Sequence, residues 1–428
     1  MNIVIISDRY APEARAAAYL SELLAQGLVK RGHAVTVVTR TPSDFLPGGT
    51  PQSVAKHEIR EGVAIFRSGG LPHSSRNLIV RALDQIVVAV QVIFARLRSE
   101  RPDVIVVYSP PIAMLLPALI HRFWRRIPFV INLHDLYPRT AVELGVLKNS
   151  LLIRFFETFE KVAYSVASQI VVAAPASRRI LTEEMAVPLQ KVHLVHNYVD
   201  TASCVPGPRE NVFRARHGLS NKFVVLYAGL MGLAQDLQVI IDCAREMSHN
   251  DEVAFVLLGD GALAGKWRSA ARDLPNVHFY GPVANEDYYE ALRAANVCLV
   301  PLSANFKGPA VPGKSQTIMA AGRPLIAIVP EGNDTIELLN RAHCGFALDP
   351  GRADQLRNLI ELLTADSSLC ERLGNNGRAY ALEHFNAELA ISQFEAIIAV
   401  AAAAHPRGAP MLSQRAERKQ IALQKTEL

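Results

Sequence analysis

Short apolar runs alternate with longer amphipathic stretches along most of the chain, which predicts strands alternating with helices. In the first half the predicted strands are 2–7, 35–39, 63–66, 104–107, 129–133, 170–172 and 193–195. After a segment rich in proline and glycine the pattern restarts, with predicted strands at 223–227, 254–258, 277–280, 297–300 and 325–328. Strands that are apolar throughout are typical of a parallel sheet covered by helices on both faces. The pattern therefore predicts an α/β fold with two parallel sheets.

The proline- and glycine-rich break at 200–209 separates two predicted domains, residues 1–202 and residues 203–386. The length of 428 residues suits two or three domains, because single hydrophobic cores stop growing near ~250–300 residues. Two Rossmann-like domains leave a cleft between them, and small-molecule sites usually form in such clefts. Residues 405–428 are polar and charged, and we expect a loose tail there.

The stretch 300–327 contains the strongest candidate for a binding site. It is predicted to run from a strand, through a loop rich in glycine and proline, into a short helix at about 315–321 and then into the next strand. Lys314 stands where this helix begins, and an ammonium group beside free backbone N–H groups suits a phosphate or a diphosphate. The alternative is an ordinary strand-to-helix turn with a lysine on the surface.

Two polar residues, His134 and Asp135, follow the predicted strand 129–133 and are expected at its carboxyl end, facing the cleft. The imidazole is a candidate to hydrogen-bond a substrate hydroxyl or to act as a base, with Asp135 orienting it. Alternatively, His134 caps the following turn and has no chemical role.

Glycines follow two predicted strands of the second half. Gly229 and Gly232 would let the backbone approach a ligand closely, although a simple turn explains one of them equally well. Residues 259–264 match the G-x-G-x-x-A form of a dinucleotide fingerprint. A NAD site would need an acidic residue at the end of the next strand, where Gly281 follows Tyr280, so a tight turn that packs a helix on the sheet is favoured.

Composition and the absence of certain motifs argue against several classes of protein. The five cysteines are odd in number, far apart and never in C-x-x-C spacing, which favours a reducing cytoplasm over a disulfide framework or a structural zinc site. The chain contains no D-x-D motif, no P-loop, no G-x-S-x-G elbow and no cluster with metal-ligand spacing, so a catalytic metal is not expected. The apolar N-terminus is interpreted as a first strand and not as a signal peptide.

Basic residues concentrate between residues 76 and 126, a segment that contains eight arginines and only three acidic residues. This segment also contains the very apolar predicted helix 78–98 and the basic and aromatic cluster 121–126. Arginine together with tryptophan and long aliphatic side chains suits an anionic membrane surface. The alternative is a core helix with one solvated arginine edge, and nucleic acid is not the predicted partner because no recognition motif accompanies the charge.

Several motifs in combination resemble glycosyltransferase family 4, in the branch that builds O-antigen, colanic acid and capsule-type polysaccharides. They are RGHAVTVVT, HDLYPRTAVELGVLKN, YAGLMGLAQDL, FVLLGDGA and VPGKSQTIMAAGRPLIA, and the resemblance runs from residue 1 to about residue 404. It implies the GT-B fold, with the final helix, 387–404, packing back on the first domain. It also implies retaining, metal-independent transfer of a sugar from a nucleotide diphosphate without a cofactor. The implied acceptor is a lipid-linked saccharide, and the implied location is cytoplasmic, at the inner face of the plasma membrane.

The resemblance also assigns roles to individual residues. Lys314 would hold the donor diphosphate, together with Lys307, and His134 would contact the donor sugar. The further substrate-binding positions that it implies are Arg15, Gly229, Met231, Gly232, Gly281, Gly313, Ser315 and Thr317.

The sequence departs from the family pattern at a pair of glutamates, which would fall at Pro309 and Thr317. The second glutamate normally accepts hydrogen bonds from the ribose hydroxyls, and threonine offers a weaker acceptor. Two other hypotheses therefore stay open beside the glycosyltransferase. One is a nucleotide-sugar 2-epimerase of the same fold, and the other is a non-catalytic subunit that binds sugar nucleotides.

Overall fold

The computed structural model describes residues 1–13, 15–42, 54–69, 87–91, 101–306, 308 and 311–404. Several predictions lie wholly or partly outside these residues: the loose tail 405–428, most of the apolar helix 78–98, Lys307 and Pro309. Within the described ranges, no helix is both long enough and apolar enough to cross a membrane.

An eight-stranded sheet forms the first half of the protein, with strand order β3-β4-β2-β1-β5-β6-β7-β8. Its strands are β1 (Asn2–Ile6), β2 (Ala34–Arg40), β3 (His57–Arg60), β4 (Val63–Ser68), β5 (Val104–Ser109), β6 (Phe129–Leu133), β7 (Gln169–Val172) and β8 (Val192–Leu194). Seven of them run parallel, and β3 pairs antiparallel with β4 at the edge. The sequence pattern did not predict β3, because HEIR is half charged and most of it is exposed to solvent.

A six-stranded parallel sheet forms the second half, with strand order β11-β10-β9-β12-β13-β14. Its strands are β9 (Phe223–Ala228), β10 (Val253–Leu258), β11 (Val277–Tyr280), β12 (Val297–Pro301), β13 (Leu325–Ile328) and β14 (Gly345–Leu348). The edge strand β14 was also missed by the pattern, since it is short and only partly buried. The α/β fold class with two parallel sheets is thus confirmed.

Helices cover both sheets. In chain order they are α1 (Ala16–Lys30), α2 (Leu115–Arg125), α3 (Arg139–Glu143), α4 (Ser150–Val166), α5 (Pro175–Arg179), α6 (Val212–His217), α7 (Gln238–Glu246), α8 (Ala264–Ala270), α9 (Asn285–Ala294), α10 (Lys314–Ala320), α11 (Asp334–Ala342), α12 (Ala353–Ala365), α13 (Ser367–His384) and α14 (Ala387–Ala403). The amphipathic ones bury one face, as α7 does with Val239, Ile240 and Cys243.

The last helix crosses from the second half to the first. Ile391, Phe394 and Ile398 of α14 are buried in one cluster with strands β1 and β5, and Ile391 lies against Gly27 of α1. Arg31, at the end of α1, forms ion pairs with Glu388 and Glu395 of α14 at 3.1 and 2.9 Å. Burial of apolar side chains therefore holds α14 on the first sheet, and the ion pairs with Arg31 stabilise this packing further.

Candidate active site

The Lys314 side chain reaches from the start of α10 to the end of β9. Its Nζ lies 4.1 Å from the centre of the Tyr227 ring, and a Cβ added at Gly229 would lie 3.0 Å from that nitrogen. The amine is buried and has no hydrogen-bond partner among the residues that the structure describes. Because burial penalises the charged form, it lowers the pKa of Lys314 to about 7. The described residues thus leave the hydrogen-bond donors of this amine unused, as expected of a site for an anion.

Glycine is required in the two turns beside this amine. Gly229 has a φ of +149°, which residues with a side chain rarely adopt, and a Cβ there would crowd the amine. A Cβ at Gly259 would lie 2.0 Å from the Gly229 carbonyl oxygen, and one at Gly261 would lie 2.4 Å from the Met231 carbonyl oxygen. The glycines of the 259–264 turn therefore let two loops pack backbone against backbone.

The other residues of the 229–232 turn face in different directions. Met231 was predicted to contact substrate, but its side chain is fully buried in the core, and its backbone N–H donates to the Asp260 carbonyl at 2.8 Å. The exposed side chain of this turn is Leu230. The Gly232 N–H donates to Gln235 Oε1 at 3.2 Å. The Met231 carbonyl accepts from the Leu263 N–H at 3.0 Å, so Met231 offers neither its side chain nor a free backbone group to the surface of the turn.

His134 follows β6, at the carboxyl end of the first sheet. Its N–H donates to the Ser109 carbonyl at 2.9 Å, and its ring stacks on Tyr108 with centroids 5.4 Å apart. Nε2 is buried without a hydrogen-bond partner among the described residues, and burial lowers the pKa of His134 to about 4. Burial also raises the pKa of Asp135, and no hydrogen bond joins this carboxylate to His134 in the described part of the chain. His134 is therefore a neutral imidazole at pH 7.

The remaining predicted residues lie at the edges of this region. Ser315 is fully buried, and its hydroxyl has no hydrogen-bond partner within the described ranges. Thr317, in the same helix, is partly exposed. Gly281 is exposed after β11, and a Cβ there would meet nothing within 4 Å. Arg15 precedes α1 in the first half. Neither Arg15 nor Gly281 makes a hydrogen bond to the Lys314 amine, so the structure does not join these two predicted residues to Lys314 in this way.

The two halves meet beside the loop that leads to Lys314. A Cβ at Gly308 would lie 3.5 Å from both Thr140 Oγ1 and Glu143 Oε2 of α3, and a Cβ at Gly313 would lie 3.6 Å from Asn197 Nδ2. The helix α3 begins five residues after His134. These contacts bring the segment that follows His134 against the segment that precedes Lys314. Tyr227, Asn197 and Glu143 were not predicted as site residues. Tyr227 and Glu143 stand inside two of the motifs, but nothing in the spacing distinguishes them from their neighbours.

Potential metal ligands do not gather in this region. No group of three or more His, Cys, Asp or Glu side chains lies within reach of one ion among the described residues. The cysteines Cys204, Cys243, Cys298, Cys344 and Cys370 are all buried and reduced.

Comparison with known proteins establishes the family. A family model described as Glycosyltransferase Family 4 matches residues 19–203, and one described as Glycosyl transferases group 1 matches residues 222–366. The chain belongs to glycosyltransferase family 4. The family predicted from the motifs is thereby confirmed, and the enzyme is a glycosyltransferase.

Two relatives of this family 4 glycosyltransferase match most of its length. WbjE of Pseudomonas aeruginosa, named a probable glycosyltransferase, is 26% identical over 336 residues, which are 76% of this chain and 82% of WbjE. WcaI of Escherichia coli K12, named provisionally as a colanic acid biosynthesis glycosyl transferase, is 22% identical over 75% of this chain and 82% of its own.

Solved structures share the architecture. Sucrose-phosphate synthase from Thermosynechococcus elongatus matches with a TM-score of 0.73 at 17% identity, covering 94% of this chain and all of that chain. Anabaena HepE in complex with UDP-glucose matches with a TM-score of 0.69 at 18% identity, covering 93% of this chain and 99% of HepE. At these identities the likeness concerns the fold, and it confirms the GT-B architecture predicted for the family 4 enzyme.

Proposed function

We propose that this enzyme is a retaining, metal-independent glycosyltransferase that moves a sugar from a nucleoside-diphosphate donor to a lipid-linked saccharide in cell-surface polysaccharide synthesis. The donor proposal rests on the Lys314 amine, which is buried, lacks a partner in the described ranges and lies beside the glycine turn at Gly229. The names of the relatives support a role in polysaccharide synthesis, since WcaI is assigned to colanic acid. HepE, which shares the fold, was crystallised with UDP-glucose, and this supports a nucleotide sugar as the donor.

The chemistry of transfer explains why such an amine is needed. Positive charge grows on the anomeric carbon as negative charge grows on the departing diphosphate. A fixed cation aimed at that diphosphate stabilises the transition state, and one preorganised donor is typically worth about 3–4 kcal/mol. We assign this role to Lys314. In a retaining front-face reaction the departing phosphate oxygen takes the proton of the acceptor hydroxyl, and His134 orients the donor sugar.

The first experiment asks whether a nucleotide sugar binds at all. Thermal unfolding is followed with a panel of nucleoside diphosphates and nucleotide sugars, because a ligand selective for the folded state raises the unfolding temperature by mass action. We expect one base to stabilise the wild type and the Lys266→Ala control, and to have no effect on Lys314→Ala. Lys266 is a suitable control because it also lies over an aromatic ring, that of Trp267 at 4.2 Å, but on an exposed part of α8.

The second experiment tests transfer. Free nucleoside diphosphate is measured with and without a lipid-linked saccharide, in the presence of EDTA, and the anomeric configuration of the product is read by NMR. We expect release that depends on the acceptor, persists with EDTA and gives a retained configuration. An inverted product, or turnover that vanishes with EDTA, contradicts the proposed mechanism, and epimerised sugar without acceptor favours the epimerase.

We also propose that the first half docks on an anionic membrane surface, at the inner face of the plasma membrane. Of the segment 76–126, residues 76–86 and 92–100 lie outside the described residues, but α2 within it exposes Phe123 and Trp124 by 67% and 71%. The neighbouring α4 exposes Leu151 and Phe155 by 78% and 61%, one helical turn apart. The same two helices and the residue after α2 carry exposed or partly exposed basic residues: Arg122, Arg125, Arg126, Arg154 and Lys161. Exposed apolar side chains together with basic residues suit insertion among anionic headgroups.

Vesicle binding tests the docking surface. The wild type should sediment with phosphatidylglycerol vesicles and not with phosphatidylcholine vesicles, and the double variant Phe123→Ser/Trp124→Ser should lose this binding. The matched control is Leu389→Ser/Val400→Ser, which removes two exposed apolar side chains from α14, on another part of the surface. Binding that survives in the first variant, or falls equally in the control, contradicts the assignment.

A further inference from the structure

We propose that Glu143 binds the transferred sugar, with its carboxylate accepting hydrogen bonds from the sugar hydroxyls. The inference extends the proposed function, because it assigns a residue of the first half to the sugar end of the donor. It rests on where this carboxylate lies, on the state of its two oxygens and on the charge at the other end of the same loop.

Glu143 is the last residue of α3, and its side chain is only 18% exposed. One oxygen, Oε1, lies 3.6 Å from Arg139 Nε. The other, Oε2, is buried and has no hydrogen-bond partner among the described residues. Leaving a buried carboxylate oxygen unsatisfied is unfavourable, so a native protein that keeps one usually has a use for it.

The ion pair with Arg139 does not account for this carboxylate. The Arg139 side chain is 45% exposed and donates to Glu184 Oε2 at 3.0 Å, a shorter contact than the one it makes with Glu143. An ion pair at helical i,i+4 spacing whose arginine is nearly half exposed contributes little to stability. The pair also leaves Oε2 unused, whereas a structural arginine bridge would be expected to hold both oxygens.

The unsatisfied oxygen faces the second half. A Cβ at Gly308 would lie 3.5 Å from Glu143 Oε2 and 3.5 Å from Thr140 Oγ1, so two oxygens of α3 point toward one position that has no side chain. Gly308 belongs to the loop between β12 and α10, six residues before Lys314. The carboxylate and the hydroxyl therefore border the junction between the halves, beside the loop that carries the amine.

Charge distinguishes the Lys314 end of this loop from the Gly308 end, which lies beside Glu143. A diphosphate is attracted to the Lys314 amine and repelled by a carboxylate, so it binds at the amine end. A sugar is uncharged and carries neighbouring hydroxyl groups, and a carboxylate can accept a hydrogen bond from each of two of them. We therefore place the diphosphate of the donor at Lys314 and its sugar toward Glu143.

Calorimetric binding separates this role from a structural one. The probes are UDP, UDP-glucose, GDP and GDP-mannose, and the pair that the wild type binds is then measured with Glu143→Ala, Glu143→Gln and Glu184→Gln. We expect Glu143→Ala to weaken the nucleotide sugar at least ~10-fold, Glu143→Gln to weaken it less, and both to leave the nucleoside diphosphate within about twofold, because only the sugar loses a partner. Glu184→Gln is the control, since it removes the same charge from a carboxylate bonded to the same arginine. Equal weakening of both ligands, or no weakening, overturns the proposal.

A second measurement needs no ligand and keeps the two proposals apart. If the wild type binds none of the four probes, the donor proposal fails, and the unfolding temperature of the ligand-free variants then decides on Glu143. A residue kept for binding is not needed for stability, so Glu143→Gln should unfold at or above the wild-type temperature. If it unfolds several degrees below both the wild type and Glu184→Gln, Glu143 is a structural residue and the inference is wrong.

Discussion

Donor binding should be coupled to protonation of Lys314. In the ligand-free protein, burial alone lowers the pKa of this amine to about 7, and the described residues offer it no acceptor. A bound diphosphate places negative charge beside the amine and raises its pKa again. The complex therefore holds a protonated lysine at pH values where the free protein holds a neutral one. Binding takes up a proton above pH 7, and the affinity falls as the pH rises.

The magnitude follows from the pKa of about 7. At pH 6 most of the lysine is already protonated, and binding requires almost no proton uptake. At pH 8 only about one molecule in eleven is protonated, so the apparent affinity should be about tenfold weaker than at pH 6. The ligand should be a nucleotide sugar, because its diphosphate lacks the terminal phosphate ionisation near pH 6 that a nucleoside diphosphate has.

The assay is calorimetric titration at pH 6, 7 and 8 in two buffers that differ in ionisation enthalpy, which counts the protons taken up. Lys314→Met should bind weakly and independently of pH, and should lose at least ~10²-fold in turnover. Lys266→Met should behave as the wild type. Glu160, whose pKa burial raises to about 7, titrates in the same window but is present in all three proteins, so it cancels in the comparison. A flat affinity in the wild type, or a turnover loss below tenfold in Lys314→Met, would refute the diphosphate assignment.

Three further predictions concern the glycines, His134 and the last helix. Gly259→Ala should fail to fold or lose several degrees of unfolding temperature in a thermal scan, because its Cβ would lie 2.0 Å from the Gly229 carbonyl oxygen. The control Gly265→Ala should be as stable as the wild type, because a Cβ at Gly265 would meet nothing within 4 Å. His134→Asn should lower turnover but leave the shape of the pH–rate profile above pH 5 unchanged, because burial already holds the pKa of His134 at about 4. Full activity of this variant across neutral pH would exclude any role for His134. Phe394→Ala should cost about 3–5 kcal/mol in urea unfolding, since Phe394 is 2% exposed on the first sheet, and Val400→Ala, at 56% exposure on the same helix, should cost little.

The strands were predictable to within one or two residues where they are apolar throughout. The bounds of β6 and β13 agree with the pattern, because a parallel sheet covered on both faces requires continuous apolar runs. The edge strand β3 was not predictable, because two of its four residues are charged and most of it is exposed. The edge strand β14 is an apolar run of only four residues, GFAL, which the pattern alone does not distinguish from a loop or a helix end. Tertiary position, which the local pattern does not contain, decided these two strands.

Within the site, the sequence predicted positions but not contacts. Strand ends and a helix start pointed to His134 and Lys314, since these positions follow from local pattern. The ring of Tyr227 under the amine, and Glu143 across the junction from Gly308, depend on how the halves meet. Met231 illustrates the same limit, because the motif marks a turn without saying that this side chain packs inward while Leu230 faces out.

The pKa values of the site also assign the acceptor proton. An imidazole whose pKa is about 4 holds a proton too weakly to remove one from a sugar hydroxyl at neutral pH. Asp135 is buried and its pKa is raised, but it makes no hydrogen bond to His134 within the described ranges and so does not strengthen it as a base. In the retaining front-face reaction that we propose, the departing diphosphate gains basicity as its bond to the sugar breaks and would lie on the face that the acceptor approaches. Because a bound diphosphate keeps Lys314 protonated at pH values where the free protein holds a neutral amine, we expect the departing diphosphate, and not His134, to take the proton of the acceptor hydroxyl.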